Sequence, residues 1–106
     1  MMEELKGKKK EVLLKRLEEV VDPELYVDIV SLGLIYYTLV SEEGNFLKII
    51  MTLTFPGCPY GETLKEQVRE KALELEYFER VEVDVTFEPA WSPDKIDPDI
   101  RAALNI

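Results

Sequence analysis

Apolar residues recur along the chain with two periods, and the changes from one period to the other divide it into elements. From about Lys9 to Val21, Leu13, Leu17, Val20 and Val21 fall at i, i+4, i+7 and i+8, which predicts an amphipathic helix ended by Pro23. Ile35 to Val40 and Phe46 to Phe55 read as antiparallel strands joined by the hairpin loop Ser41-Glu42-Glu43-Gly44-Asn45. In the second strand Leu47, Ile49, Met51, Leu53 and Phe55 share one face, opposite Lys48, Ile50, Thr52 and Thr54. A helix is predicted from Glu62 to Tyr77, with Leu64, Val68, Ala72 and Leu75 as its buried stripe. Val81, Val83, Val85 and Phe87 then alternate with charged and hydroxyl residues, a one-sided strand closed by Pro89. Asp97-Pro98 pairs a capping residue with proline at the first helical position and predicts a short helix to about Leu104. Tyr26 to Leu34 is apolar without a period and is expected to be an ordered loop. Residues 1–8 lack periodicity and are expected to form a flexible arm.

The order is αββαβ with a short C-terminal helix, which predicts an α+β, two-layer sandwich over a small mixed sheet, one domain across residues 1–106. Leu47 to Phe87 is a strand–helix–strand crossover, so its strands run parallel and end at the same edge of the sheet; the first strand begins there. Three loops should therefore converge: Asp22–Gly33, Phe55–Pro59 and Pro89–Ile96. They would bring together Cys58 with the polar groups Asp22, Glu24, Asp28 and Thr54, walled by Trp91, Phe55, Pro56 and Tyr60. Each has a plainer reading: Asp22 as a turn residue, Glu24 and Asp28 as solvated acids, Trp91 as a lid on the core, Cys58 as a small buried hydrophobe.

Composition narrows the chemistry. A net charge of −9 is the wrong sign for tracking a phosphate backbone, so nucleic acid is not expected as a partner. No apolar run approaches the roughly 20 residues of a membrane span, and the first ten residues lack an export signal, so a cytoplasmic protein is expected. The single cysteine fits a reducing compartment, and the absence of histidine excludes imidazole metal sites and Cys/His or Ser/His catalytic pairs. Abundant Glu and Lys with few side-chain amides suggest a thermophilic source.

The candidate reactive group is Cys58. Pro59 suits the first helical position, which would make Cys58 the helix N-cap, with its sulfur toward unpaired amides that favour a thiolate.

Asp22-Pro23-Glu24, Leu32-Gly33-Leu34-Ile35-Tyr36, Met51-Thr52-Leu53-Thr54 with Pro56-Gly57-Cys58-Pro59, and Pro89-Ala90-Trp91-Ser92-Pro93 resemble, in order, the signature blocks of the iron–sulfur cluster assembly domain family. That family includes SufT, the PaaD-like proteins of aerobic phenylacetate degradation and the eukaryotic cytosolic iron–sulfur targeting factors. The resemblance, from about Val12 to Ile106, implies iron–sulfur protein maturation with Cys58 as the functional thiol and Asp22 and Thr54 at the family's polar site positions. On this reading the protein is no enzyme. It binds iron or a cluster transiently through Cys58, holds no stable cofactor in one chain, and works with iron–sulfur carrier, scaffold or client proteins or as a homodimer. Two alternatives stay open: a thiol enzyme with Cys58 as nucleophile, and an adaptor in which Cys58 is structural.

Overall fold

The computed structural model describes residues 1–105. Strand β1 (Met2–Glu4) leads into helix α1 (Gly7–Leu17), followed by β2 (Ile35–Ser41), β3 (Phe46–Met51), helix α2 (Gly61–Leu73), β4 (Arg80–Val85), a 3₁₀ turn at Pro93–Lys95 and helix α3 (Pro98–Leu104). The sheet has four strands in the order β1-β2-β3-β4. β1 and β3 run antiparallel to β2, whereas β3 and β4 are parallel in the register Leu47↔Val81 to Met51↔Val85. The fold is thus α+β over a small mixed sheet.

The N-terminus differs from the arm expected for residues 1–8. Met2, Glu3 and Glu4 pair with Ser41, Val40 and Leu39, the Leu5 amide donates to the Thr38 carbonyl over 2.7 Å, and Leu5 is buried. Three residues are too few to display a period of two, and the signal that existed was Leu5, set between Glu3-Glu4 and the lysines after it. A short strand carrying Glu3 and Glu4 also suits a sheet edge, where charge discourages pairing with another chain.

The alternation in β3 holds through Met51, with Leu47, Ile49 and Met51 fully buried; beyond it Thr52, expected on the half-polar face, and Leu53 are both buried. Pairing stops at Met51, however, and Phe55 is exposed, because the β2 and β4 partners of β3 end at Ile35 and Val85. α1 contributes Leu13 and Leu17, and α2 contributes Leu64, Val68 and Ala72, to one apolar cluster with Val81 and Val83 of β4 and Ile29, Leu32 and Leu34 of the loop before β2. At about 25 cal/mol per Å² this burial is the main stabilising term. Ion pairs between the helices, Arg16 to Glu74 at 2.9 Å and Lys71 to Glu19 at 3.0 Å, are solvent-facing and add little. The terminal helix forms as expected: the Asp97 carboxylate caps it by accepting from the Asp99 amide at 2.9 Å, with Pro98 in the first turn.

Candidate functional site

Strand directions place the start of β2 and the ends of β3 and β4 at one edge, and hydrogen bonds tie the three following or preceding loops together there. The Thr52 amide donates to the Leu34 carbonyl and the Thr86 amide to the Met51 carbonyl, each over 2.8 Å. The Asp97 amide reaches the Ser31 carbonyl at 2.8 Å, and the indole N–H of Trp91 reaches that of Leu32 at 2.7 Å. Gly33 lies so close to the Lys95 carbonyl that any side chain would collide with it, and its φ of +76° is one that L side chains rarely adopt. Trp91 therefore stands at this edge rather than at the hairpin end near Gly44.

Cys58 sits between two successive tight turns. The Cys58 amide donates to the Phe55 carbonyl and the Gly61 amide to the Cys58 carbonyl, each over 3.2 Å. Pro56 and Pro59 each occupy the second position of a turn, where their fixed φ is favoured. This overturns the N-cap expected for Cys58: α2 begins at Gly61 with Tyr60 as N-cap, and the first helical bond runs from the Leu64 amide to the Tyr60 carbonyl. The Cys58-Pro59 pair is equally compatible with a turn, and the second turn takes the proline. Gly61 follows from packing, since a Cβ there would lie 2.8 Å from Leu53 Cδ1. Cys58 is half-buried against the apolar cluster, and among the described residues its sulfur accepts no hydrogen bond from the first turn of α2. Around it Phe55 (41% exposed), Tyr60 (43%), Pro56 and Pro59 face solvent.

The acids have other engagements. Asp22 is buried, and its Oδ1 accepts from the Glu24 and Leu25 amides at 2.8 and 3.0 Å, so it builds its own turn. Asp28 accepts from the Ser31 amide at 2.9 Å, and Glu24 is exposed. Thr54 is half-buried in the bend leading to Phe55. The loops thus converge as the strand directions require, yet the carboxylates of Asp22 and Asp28 are hydrogen-bonded within their own loop, not to Cys58. Among the described residues no group of three or more Cys, Asp or Glu side chains is placed to hold a metal ion. The donors of one chain do not fit a resident iron–sulfur cluster, which takes four ligands, mostly thiolates; a cluster handled here would be cargo.

Tyr36, which closes the second signature block, and Lys95 come together at this edge. The Tyr36 hydroxyl donates to the Pro89 carbonyl at 2.8 Å, the Lys95 ammonium lies 5.4 Å from its ring centre, and both line a groove of about 370 Å³ with Gly33, Ile35, Tyr37 and Pro89. The available signal was the aromatic pair Tyr36-Tyr37 at the start of a strand.

A family described as "Iron-sulfur cluster assembly protein" matches residues 10–85. The chain is 40% identical over 97 residues to the Fe-S protein maturation auxiliary factor YitW of Bacillus subtilis, covering 92% of this chain and 94% of that one. It is 38% identical over 87 residues to the Fe-S protein maturation auxiliary factor SufT of Staphylococcus aureus, covering 82% and 98%. Among solved structures, a domain of unknown function from Bacillus anthracis superposes with a TM-score of 0.84 at 35% identity, covering 92% of each chain. A conserved hypothetical protein of Thermotoga maritima gives 0.77 at 34% identity, covering 98% and 99%. No helix among the described residues is long and apolar enough to cross a membrane.

Proposed function

The chain belongs to the iron–sulfur cluster assembly protein family, and we propose on that premise that it is a non-catalytic maturation factor, assisting cluster assembly or transfer to client proteins through the Cys58 thiol and the surface around it. The observation that carries this reading is the tandem turn Phe55–Gly61, which holds a half-buried thiol in an exposed apolar rim of Phe55, Pro56 and Tyr60. A soft sulfur donor inside an apolar collar suits a protein that meets another protein at the point where iron or a cluster changes hands.

Ligand arithmetic sets the rest. Cys58 supplies one thiolate, and a cluster wants about four ligands. The others come from a carrier, scaffold or client, or from a second copy meeting this one at the same corner. Trp91, which locks the first loop to the third, and Asp22, which shapes the first loop, act by holding the corner in place. The carboxylates that could assist thiol catalysis, those of Asp22 and Asp28, are hydrogen-bonded to backbone amides. One observation favours a second reading: Cys58 also packs against the core, as a structural cysteine in a pure adaptor would.

Anaerobic reconstitution with iron and sulfide, read by absorption and sedimentation, separates the two. The maturation reading expects a coloured species that is a dimer or mixed complex, lost in Cys58→Ser. A Cys58→Ser protein that keeps its activity in client maturation would instead establish the adaptor.

A further inference from the structure

The charge of this chain is unevenly distributed. Residues 6–16 carry six basic side chains against one acid, Glu11, in a chain of net charge −9. Most of that basic segment is α1, which along its length, with Glu19 just beyond it and Leu75 just after α2, lines a groove of about 520 Å³. Val12 and Leu75, both half-buried, form its apolar floor, while Lys8, Lys15 and Arg16, with Glu11 and Glu19 among them, make a rim with one positive charge in excess.

The rim charges are unequally neutralised. Arg16 is held by Glu74 at 2.9 Å and by Glu19 at 3.6 Å. Lys8 approaches Glu11 only to 4.0 Å, with both side chains more than 70% exposed, a pair of negligible strength. Lys15 is exposed and has no ion-pair partner among the described residues. Lys8, Val12, Lys15 and Glu19 follow one another at i, i+4, i+7 and i+11, so basic and apolar groups share one side of α1.

We propose that this groove between α1 and the end of α2 docks an acidic amphipathic helix of a partner protein. Apolar residues of the incoming helix, spaced by three and four, would cover Val12 and Leu75 while flanking carboxylates meet Lys8 and Lys15. A phosphate backbone suits the groove less, because Glu11 and Glu19 interrupt the rim where successive phosphates would need to lie, whereas a helix can set its carboxylates at Lys8 and Lys15 alone. It is separate from the thiol corner: α2 has 13 residues, about 20 Å of helix, between its start beside Cys58 and the Leu75 end. A partner anchored here would leave the corner free for exchange.

The test uses the full chain and a synthetic 15-residue peptide with leucine at helical spacing and glutamate elsewhere, with a control in which lysine replaces glutamate. Titration is followed by amide shifts in the labelled protein. The acidic peptide should perturb α1 and residues 73–77, not 55–60, and the lysine peptide should not bind. Lys8→Glu/Lys15→Glu, at two exposed positions where folding is checked by circular dichroism, should weaken binding at least about tenfold, as should raising salt from roughly 0.05 to 0.3 M. Four results would each overturn the proposal: shifts centred on Phe55 to Tyr60; unchanged affinity in the double variant; tighter binding of a single-stranded oligonucleotide or phosphatidylserine vesicles through the same lysines; or self-association that Lys15→Glu abolishes, which would make a second copy of this chain the occupant.

Discussion

Trp91 and Leu32, 59 positions apart in sequence, are joined by a 2.7 Å hydrogen bond from indole to carbonyl that fastens the last loop of the site to the first. Trp91→Phe keeps an aromatic ring and deletes that donor, leaving the Leu32 carbonyl without it. The expected loss is about 1–2 kcal/mol, or a fall of several degrees in Tm for a domain of this size. Hydrogen exchange should quicken at the Asp97 amide, which bonds the same loop at Ser31. A Tm and exchange pattern equal to those of the parent protein would reduce Trp91 to a lid.

Asp22 separates shape from charge at the same edge. Asp22→Ala strands the Glu24 and Leu25 amides and should cost about 1–3 kcal/mol in chemical denaturation. Asp22→Asn retains an acceptor oxygen and should recover most of it. If the carboxylate only builds its turn, the asparagine variant supports client maturation normally; a stable but inactive Asp22→Asn would assign the charge a direct role.

Gly61→Ala tests the packing that starts α2. The new methyl would meet Leu53 Cδ1 at 2.8 Å, an overpacking cost of about 1–3 kcal/mol that exceeds the gain in helix propensity of at most about 1 kcal/mol. The displaced turn should also react faster with iodoacetamide at Cys58. Adding Leu53→Ala should restore the slower rate if the collision is its cause.

The pair between α1 and α2 gives a pH signature. The Lys71 ammonium, bonded to Glu19, lowers the Glu19 pKa, and Glu19 in turn raises that of Lys71. A depressed acid contributes stability above its ordinary value near 4.5, lost as pH falls through the folded value; a raised base contributes below its ordinary value near 10.5, lost as pH climbs through the folded one. The difference in Tm between the parent and Glu19→Gln should therefore be present at neutral pH, vanish in acid, and shrink at high pH to what the Glu19–Arg16 pair at 3.6 Å retains. A difference that persists in acid would place its origin outside the pair.

Long elements with one buried face were legible in the residues. The Val81–Val83 alternation and the Leu64–Val68–Ala72 stripe each stated their own face, and the parallel crossover then fixed which loops meet. What stayed hidden was short or ambiguous. β1 owes its existence to an available edge on β2, a property of the partner strand that no residue in Met2–Glu4 encodes. Cys58-Pro59 satisfies both a helix start and a turn, and its residues do not choose between them. Tyr36 and Lys95 come together across 59 positions because Gly33 lets the last loop pass, which no local pattern announces.

The two proline turns around Cys58 bear on timing as well as geometry. Prolines at the second position of consecutive turns remove backbone freedom from the unfolded and folded chain alike, so the thiol is presented on a segment with little left to freeze. On the proposed reading, a partner arriving at this corner would meet a donor already in place, with little entropic penalty for ordering the loop. On that reading, stiffness at such a corner strengthens the encounter, because little ordering cost is set against the contacts made. Replacing Pro56 and Pro59 with alanine would slow transfer without removing a single donor atom.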